Sequence, residues 1–319
     1  NDFFHLLIFT LQKSFSIVQY TYIMSITRQN FSVIIVSFKS DHVIEKCINS
    51  IDNQIEIIVV DNSNDIQFKN KIEKKYNNVK CILSSSNIGM GAGNNLGIKN
   101  VSNDYAFILN PDVILKNDTI DEIIKVVKSI DSFGLIAPIS DKTKYPNYKL
   151  DKNKKQIFDP INPFKVKSVD GFAMVLNIKK LNQIKSFENF NFFDENIFLY
   201  LENDDLCKRL IDNNENIYII PKSKINHIGA SAVSKEYKQE IELSRNWHWI
   251  WSKFYFNKKH YGFFIALISG LPTFLSAIIK LMFYFAFDRK KKDIYLHRAA
   301  GYLNALLGKK SHHRPKILY

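Results

Sequence analysis

The feature of this sequence best suited to chemistry is a short turn, Asn110-Pro111-Asp112-Val113, directly after an apolar run. Such a run ending in Asn-Pro predicts a buried strand that stops abruptly, because proline cannot donate to a sheet and disfavours helix in the residue before it. The Asp112 carboxylate is then expected at the carboxyl end of a central strand, where open α/β sheets bind ligands. A hard oxygen ligand there suits a divalent cation that bridges a diphosphate. The alternative is a turn that only ends the strand.

A second acidic group opens a predicted helix and consists of Glu202, Asp204 and Asp205. Glu202 and Asp205 are three residues apart and therefore share one face of the first turn. A carboxylate in this turn could act as a general base on a substrate hydroxyl. The structural alternative is that the acids complement the helix dipole and that Asp205 pairs with Arg209.

Three further polar sites follow predicted strands. Asp61 could accept a hydrogen bond from a nucleobase or a ribose hydroxyl, or could form an Asx turn that caps the next helix. His227, if it meets Asp112 in space, supplies a second ligand for the same cation. The segment 87–97 is rich in Gly and Asn, which suits an anion near a helix start. It is not a dinucleotide fingerprint, because Asn94 stands where the third glycine would be, nor is it a P-loop.

The elements that must position these residues alternate between strand and helix. This alternation is typical of parallel βαβ units and predicts a Rossmann-like half of an α/β fold. The predicted strands of this half are 31–38, 55–60, 79–83 and 105–109. Further along, the patterns predict a helix that begins after Asp118, a loop over 141–167, a strand at 169–178, a helix at 202–214 and an edge strand at 217–221 closed by Pro221.

The net charge indicates the kind of partner, and the cysteine content indicates the kind of compartment. The formal net charge is +13, which indicates an anionic partner such as nucleic acid, an anionic membrane or a phosphate-bearing substrate. Nucleic acid is disfavoured because the basic excess lies beside apolar sequence and is not interleaved with aromatic residues as a stacking platform requires. The three cysteines are far apart, which argues against a disulfide framework or a structural zinc site and fits a reducing compartment.

The last third of the chain differs in composition. After a helical stretch rich in aromatic residues comes an apolar run, 263–287, followed by the basic cluster 289–292. The run is just long enough to span a membrane, but Pro272 and Lys280 favour interfacial docking with a basic anchor. At the other end, residues 1–23 precede Met24 and are interpreted as an over-extended reading frame or a short membrane-lying segment.

Taken in order, these segments resemble family 2 glycosyltransferases, near the bacterial rhamnosyltransferase-like branch. The resemblance covers about residues 31–255 and is carried by the following segments: Val36-Ser37-Phe38, Ile58 to Ser63, Asn87-x-Gly89 leading to Asn94-Asn95-Leu96-Gly97, the Asn-Pro-Asp-Val turn, Glu202-x-x-Asp205-Leu206-Cys207 and His227-x-x-Gly-x-Ser231. It implies a GT-A fold, a nucleotide-diphosphate sugar donor (dTDP- or UDP-linked), a divalent cation (Mg²⁺ or Mn²⁺) and inversion at the anomeric carbon.

The resemblance also implies roles for single residues. Asp61 would contact the nucleoside, Asp112 would hold the metal and His227 would assist it. The other donor-binding positions would be Ser37, Asn87, Gly89, Asn94 and Asn110, and Asp170 and Gly171 would lie on the acceptor side. The catalytic base would come from Asp205, Asp204 or Glu202, with Asp205 preferred. Two departures matter, since Asn110 replaces the first acid of the DxD-type motif and Asn203 replaces an Asp that often serves as the base.

The sequence therefore predicts three regions: an N-terminal extension over 1–30, a GT-A domain over 31–255 and a membrane-associating helical extension over 256–319. The predicted protein is an inverting transferase that acts on a glycan or lipid-linked acceptor in bacterial cell-surface polysaccharide synthesis. It would work in the cytoplasm, peripherally on the inner face of the membrane through residues 263–319. The alternative is a non-catalytic nucleotide-binding module, and salt-sensitive nucleic-acid binding is not expected.

Overall fold

The computed structural model describes residues 25–141, 146–151, 153, 156–229 and 232–317. The prediction for residues 1–23 lies outside the described residues, as does Ser231. The strands in chain order are Phe31–Ser37 (β1), Glu56–Asp61 (β2), Val79–Leu83 (β3), Tyr105–Leu109 (β4), Val113–Leu115 (β5), Leu135–Ser140 (β6), Tyr148–Lys149 (β7), Phe164–Lys165 (β8), Ser168–Val169 (β9), Ala173–Asn177 (β10) and Ile217–His227 (β11). The helices are Asp41–Asn49 (α1), Ile66–Lys75 (α2), Met90–Ile98 (α3), Thr119–Ser129 (α4), Ile178–Leu181 (α5), Glu202–Asp212 (α6), Lys238–Tyr261 (α7), Phe263–Tyr284 (α8) and Arg289–Leu306 (α9).

The central sheet has the order β3-β2-β1-β4-β10-β6-β11-β5, with β8 paired to β11. Strands β3, β2, β1 and β4 are parallel, which confirms the predicted Rossmann-like half. Strand β10 is antiparallel to both β4 and β6, and β5 is antiparallel to β11. This mixed second half brings β5 and the end of β11 together beside the Asn-Pro-Asp turn.

The core lies on both faces of this sheet, as the continuous apolar strands require. In β1, Val33 and Ile35 pack in the cluster on one face, whereas Ile34 and Val36 pack in the cluster on the other. The period of two follows from the pleat of a strand buried on both sides. The C-terminal helices α7, α8 and α9 form a third hydrophobic cluster, which includes Trp251 and Tyr302. It shares no residue with the two clusters on the sheet.

Two predictions about the second half of the sheet are corrected. Strand β11 is not an edge strand closed by Pro221, because it continues to His227 between β6 and β5. A register shift between Ile220 and Lys224 accommodates the proline, whose missing N–H costs little where the ladder is already interrupted. The strand predicted at 169–178 is divided, because β9 pairs with β7 in a separate ribbon whereas β10 enters the main sheet.

The predicted helical C-terminal region is confirmed as three long helices. Helix α7 continues through residue 255, where the sequence placed a domain boundary. It is anchored to the sheet domain by the Ser252 hydroxyl, which donates to the Leu199 carbonyl at 2.8 Å. The same helix therefore belongs to both predicted regions.

Candidate active site

The carboxyl ends of β1, β2 and β3 carry a hydrogen-bonded network of polar residues. The backbone N–H of Asn62 donates to the Ser37 carbonyl at 2.8 Å, and the N–H of Lys39 donates to the Ser63 hydroxyl at 2.8 Å. The Asn62 amide also donates to the Gly89 carbonyl at 3.1 Å. Because parallel strands end at the same edge of a sheet, the predicted donor-binding residues Ser37, Asp61 and Gly89 are neighbours.

Asp61 is buried and forms an Asx turn. Its carboxylate accepts the backbone N–H of Ser63 at 3.2 Å and that of Asp65 at 2.9 Å. Burial raises the pKa of Asp61, and these two N–H groups oppose that rise. The structural alternative considered for this turn is therefore present, and the predicted contact of Asp61 with a nucleoside stays a prediction.

The predicted metal pair, Asp112 and His227, is brought together by the pairing of β5 with β11. His227 lies opposite Val113 in register, and the N–H of Ile228 donates to the Asp112 backbone carbonyl at 3.1 Å. His227 Nε2 is then 3.4 Å from Asp112 Oδ1. The imidazole stacks on Phe172, with ring centroids 4.0 Å apart, which fixes its orientation. The two residues are 115 positions apart in the sequence, so only this strand pairing makes them neighbours.

This pair fits a divalent cation whose other ligands come from the substrate. Within the described ranges, no group of three or more His, Cys, Asp and Glu side chains could hold a metal ion. One carboxylate oxygen and one imidazole nitrogen suit Mn²⁺, and Mg²⁺ is commonly held by one or two carboxylates together with substrate phosphates and water. A cation here would therefore need a diphosphate to complete its coordination.

Asn94 and Asn110 present buried amide oxygens on the predicted donor side. Among the described residues, the Oδ1 atoms of both are buried without a hydrogen-bond partner. The adjacent Asn95, in contrast, accepts from Phe193 N at 3.0 Å and donates to the Phe193 carbonyl at 2.8 Å. Since buried polar atoms are normally paired, Asn94 and Asn110 are the ones suited to a bound ligand, whereas Asn95 is structural.

The Gly/Asn-rich segment is mostly helix α3, and Gly89 precedes it. Gly89 has φ +92° and ψ 179°, a region open essentially to glycine, and a Cβ there would lie 2.4 Å from the Phe198 carbonyl oxygen. Asn87 Oδ1 accepts the Gly89 N–H at 3.2 Å. Gly97 allows α3 to lie close to β1, because a Cβ there would be 2.4 Å from Ile34 Cγ2. These glycines are therefore explained by close packing as well as by any ligand.

We expect Gly89→Ala to lower the free energy of unfolding by about 3–5 kcal/mol, as the sum of backbone strain and overpacking. The matched control is Gly262→Ala, since Gly262 has φ +91° but nothing within 4 Å of the added Cβ. That variant should cost only about 1–2 kcal/mol, from strain alone. Urea unfolding of both variants measures the difference, and equal losses would contradict the predicted clash with Phe198.

Asp205, the preferred base, lies in a buried cluster of ion pairs. It is fully buried and contacts Arg209 Nε at 2.9 Å, Lys259 Nζ at 2.6 Å and His260 Nε2 at 2.8 Å. Lys259 also contacts Asp194 at 2.7 Å. With both oxygens engaged by three cationic or imidazole groups, Asp205 joins α6 to the end of α7. A carboxylate held in this way is poorly suited to approach an acceptor hydroxyl, and the role of Asp205 as the base stays a prediction.

Asp204 is the acid of this turn that faces the predicted acceptor side. It is 2.9 Å from Lys149 Nζ, and it interacts electrostatically with Asp170. Partial desolvation of its carboxyl raises the pKa of Asp170, with Asp204 adding to the rise and Lys149 and His227 opposing it. Asp170 is therefore near enough to both Asp204 and His227 to interact with them electrostatically.

Asn203 occupies the neighbouring position and is held by backbone. Its amide donates to the Val169 carbonyl at 2.7 Å, and a Cβ on Gly171 would lie 3.2 Å from Asn203 Cβ. The start of α6 is strained as well, because Tyr200 and Leu201 both have φ +68°. Left-handed non-glycine residues cluster at functional sites, which marks this turn as one that the surrounding structure holds in place.

Glu202 is half-buried against the glycine-rich start of α3. Its Oε2 has no hydrogen-bond partner among the described residues, and a Cβ on Gly91 would lie 3.6 Å from Glu202 Cβ. Burial raises the pKa of Glu202 to about 7. This carboxyl is therefore partly protonated near neutral pH and could donate a hydrogen bond.

The raised pKa of Glu202 predicts a pH dependence of stability. The folded state keeps this proton to about pH 7, whereas the unfolded chain loses it near 4.5, so the wild type loses up to about 3 kcal/mol as the pH rises through this window. Glu202→Gln removes this loss, and its stability relative to the wild type should grow from pH 4.5 to 7. Denaturant unfolding at several pH values measures it. The exposed Glu188→Gln is the control, and parallel curves for Glu202→Gln and wild type would contradict the prediction.

Two residues near these sites were not predicted from the sequence. Lys149 comes from the segment that was interpreted as a loop. Arg314 comes from the basic tail, donates from Nε to the Asn87 carbonyl at 3.1 Å and lies 3.7 Å over the ring of Phe198. Both cations are distant in sequence from the residues they contact. Only the fold brings them beside the candidate site.

Known proteins share the fold of this chain and part of its sequence. Residues 32–184 match the family model described as Glycosyl transferase family 2. The mannosyltransferase PcManGT of Pyrobaculum calidifontis, solved with GDP-Man and Mn²⁺, superposes with a TM-score of 0.51 at 10% identity, covering 92% of this chain and 94% of that one. At this identity the likeness concerns the fold alone, which is a GT-A fold as predicted.

Two curated proteins are similar in sequence. The low-salt glycan biosynthesis hexosyltransferase Agl10 of Haloferax volcanii is 26% identical, over 59% of this chain and 64% of its own length. The match therefore spans less than two thirds of that relative. The rhamnosyltransferase WbbL of Escherichia coli (strain K12) is 28% identical, over 59% of this chain and 80% of its own length. Residues 32–184 are therefore similar to a family 2 glycosyltransferase domain, which confirms the resemblance to this family and to its rhamnosyltransferase-like members.

Proposed function

We propose that this protein transfers a sugar from a nucleotide-diphosphate donor to a glycan or lipid-linked acceptor, with inversion, in the synthesis of a bacterial cell-surface polysaccharide. The observation that carries the proposal is the Asp112–His227 pair, 3.4 Å apart beside the carboxyl ends of the parallel strands. The rhamnosyl- and hexosyltransferase names of the relatives support a hexose or deoxyhexose. For the nucleotide we propose UDP or dTDP.

On the donor side, Asp112 and His227 would hold Mg²⁺ or Mn²⁺. A divalent cation bound there supplies positive charge that stabilises the diphosphate as it leaves. Asp61, Ser37 and the loop at Gly89 form the wall on which the nucleoside would lie, and the amide oxygens of Asn94 and Asn110 are available to the donor.

On the acceptor side, Asp204 removes the proton from the acceptor hydroxyl in our proposal. That oxygen then attacks the anomeric carbon from the face opposite the diphosphate, and the carbon–oxygen bond to the phosphate breaks. One displacement inverts the configuration and needs no covalent nucleophile. Asp170 interacts electrostatically with both Asp204 and His227, and in our proposal it orients the acceptor.

The test has two stages. Thermal unfolding is first followed with UDP-, dTDP- and GDP-linked sugars, each with and without Mn²⁺, and we expect one donor to raise the Tm only when Mn²⁺ is present. Transfer from that donor to a membrane extract containing lipid-linked glycans is then measured, and NMR of the product anomer reports inversion. A retained anomeric configuration would overturn the proposed displacement.

The second candidate is a nucleotide-binding module without catalysis. It is favoured by Asn110 and Asn203, which stand where the resemblance implies acids. A donor that binds with Mn²⁺ but is neither hydrolysed nor transferred, under conditions where a related transferase is active, would support this alternative.

A further inference from the structure

Helix α8 exposes large apolar side chains, whereas a helix on the surface of a soluble protein usually turns its apolar stripe toward the core. The outward residues recur at intervals of three and four and so form one stripe along the helix. This α8 stripe consists of Phe264, Ile268, Leu271, Leu275, Ile279 and Met282, whose exposed fractions range from 42% to 76%. Phe285 and Phe287, at 75% and 78% exposed, extend it into the turn before α9.

The inward face of α8 is made of small residues. Ala266 and Ala277 are buried, and Gly270 lies so close to Tyr302 of α9 that a Cβ would be 2.4 Å from the ring. The Tyr302 hydroxyl donates to the Leu267 carbonyl at 3.2 Å, which fixes the rotation of α8 about its axis. The stripe is therefore held outward by packing, and α8 cannot bury it by turning.

Helix α8 is long and apolar enough to cross a membrane, but its neighbours argue against a span. Helices α7 and α9 pack against it and carry charged residues, among them Lys253, Lys258, Asp293 and Arg298. Placing α8 across a bilayer would carry these charges into hydrocarbon, where each costs several kcal/mol. Lying in the plane of a surface, α8 buries only the stripe.

The charges around the stripe identify the surface. Exposed cations lie at both ends of α8: Lys258 at the end of α7, and Arg289, Lys290 and Lys291 at the start of α9. Between residues 256 and 319 the acidic residues are Asp288 and Asp293 alone. An apolar stripe flanked by cations is complementary to an anionic bilayer, with apolar groups in the acyl boundary and cations among the headgroups.

We propose that the α8 stripe docks in the plane of an anionic lipid bilayer and that the basic cluster 289–292 anchors it there. This inference concerns binding alone and does not depend on the proposed transferase activity. It would place the sheet domain at a membrane surface, and the inner face of the cytoplasmic membrane is the surface we propose. A lipid-linked acceptor would then be reached without leaving the bilayer.

Vesicle sedimentation of the full chain tests the proposal. We expect binding to vesicles that contain phosphatidylglycerol and weak binding to pure phosphatidylcholine. The double variant Ile268→Glu/Leu275→Glu should bind at least 10-fold more weakly. The matched control is Ile157→Glu/Ile161→Glu, which alters isoleucines that are 77% and 58% exposed outside the stripe, and it should bind like the wild type.

A second variant separates charge from apolar burial. Replacing the four cations 289–292 by Gln should weaken binding to the anionic vesicles by roughly 5-fold per residue at low salt. Circular dichroism verifies that each variant is folded. Bound wild type should be released by alkaline carbonate.

Four results would overturn the proposal. Retention after the carbonate wash would mean a spanning helix. Wild-type chain that stays in solution with anionic vesicles would mean that no bilayer covers the stripe. A wild-type dimer that is lost in the Ile268→Glu/Leu275→Glu variant but kept in the control variant would identify a second copy as the occupant. Equal vesicle binding by stripe and control variants would mean that the stripe is not the contact.

Discussion

Asp112→Asn should abolish Mn²⁺-dependent donor binding and lower kcat by about 10³-fold or more, the scale expected when charge stabilisation of a leaving diphosphate is lost. The substitution preserves shape, so the strand pairing that places Ile228 N 3.1 Å from the Asp112 carbonyl should remain. Titration calorimetry with the donor, with and without Mn²⁺, measures donor binding. Steady-state kinetics measures kcat.

The control for this variant is Asp118→Asn, an exposed carboxylate just after the same turn that caps no N–H with its side chain. It removes the same charge and should leave donor affinity and kcat unchanged. Unchanged Mn²⁺ dependence in Asp112→Asn would remove Asp112 from the metal site. The proposal that His227 assists would then lose its basis, because the two act as a pair.

The second large expected effect distinguishes the role of Asp204 from that of the adjacent Asp205. Asp204→Asn should lower kcat by about 10²- to 10⁴-fold with donor affinity unchanged, as expected for a general base. Asp205→Asn should instead lower the free energy of unfolding by about 3–5 kcal/mol, because it leaves Lys259 and Arg209 facing a neutral group inside the protein. Activity per folded molecule of Asp205→Asn should stay close to that of the wild type.

Each variant controls the other, since both remove one negative charge from the same helical turn. Kinetics below the Tm of the weaker variant, with the folded fraction measured in parallel, keeps stability and catalysis apart. If Asp205→Asn is folded yet inactive and Asp204→Asn is active, the base is Asp205 as the sequence first indicated. If neither lowers kcat, the base lies outside this pair, and Asp170→Asn becomes the next variant.

Local sequence correctly predicted the features that depend on interactions between neighbouring residues. Continuous apolar strands separated by helical periodicity predicted β1 to β4 because burial on both faces leaves a signature within each strand. The Asn-Pro-Asp turn predicted where β4 ends because proline acts on its immediate neighbours. The predicted encounter of Asp112 with His227 was correct, but it came from resemblance and chemistry, and nothing in the spacing of the two residues required it.

Two features that local sequence did not reveal have a common cause. Pro221 predicted an edge strand, yet β11 continues because a register shift accommodates the proline between two partner strands. Asp205 looked suited to act as a base, yet Lys259 and His260, more than 50 residues away, hold it. In both cases the deciding partners are remote in sequence, and local patterns carry no information about them.

By itself, then, the sequence determined the class of fold, the position of the Asp112 turn and the amphipathic composition of the C-terminal helices. Tertiary structure decided which carboxylate is fully buried among three ionic or imidazole partners, why the pKa of Glu202 is raised, and which face of α8 is exposed. The physical reason is that strand and helix formation depend on short-range periodicity, whereas burial, ion pairing and solvent access depend on contacts that form only when distant segments pack together.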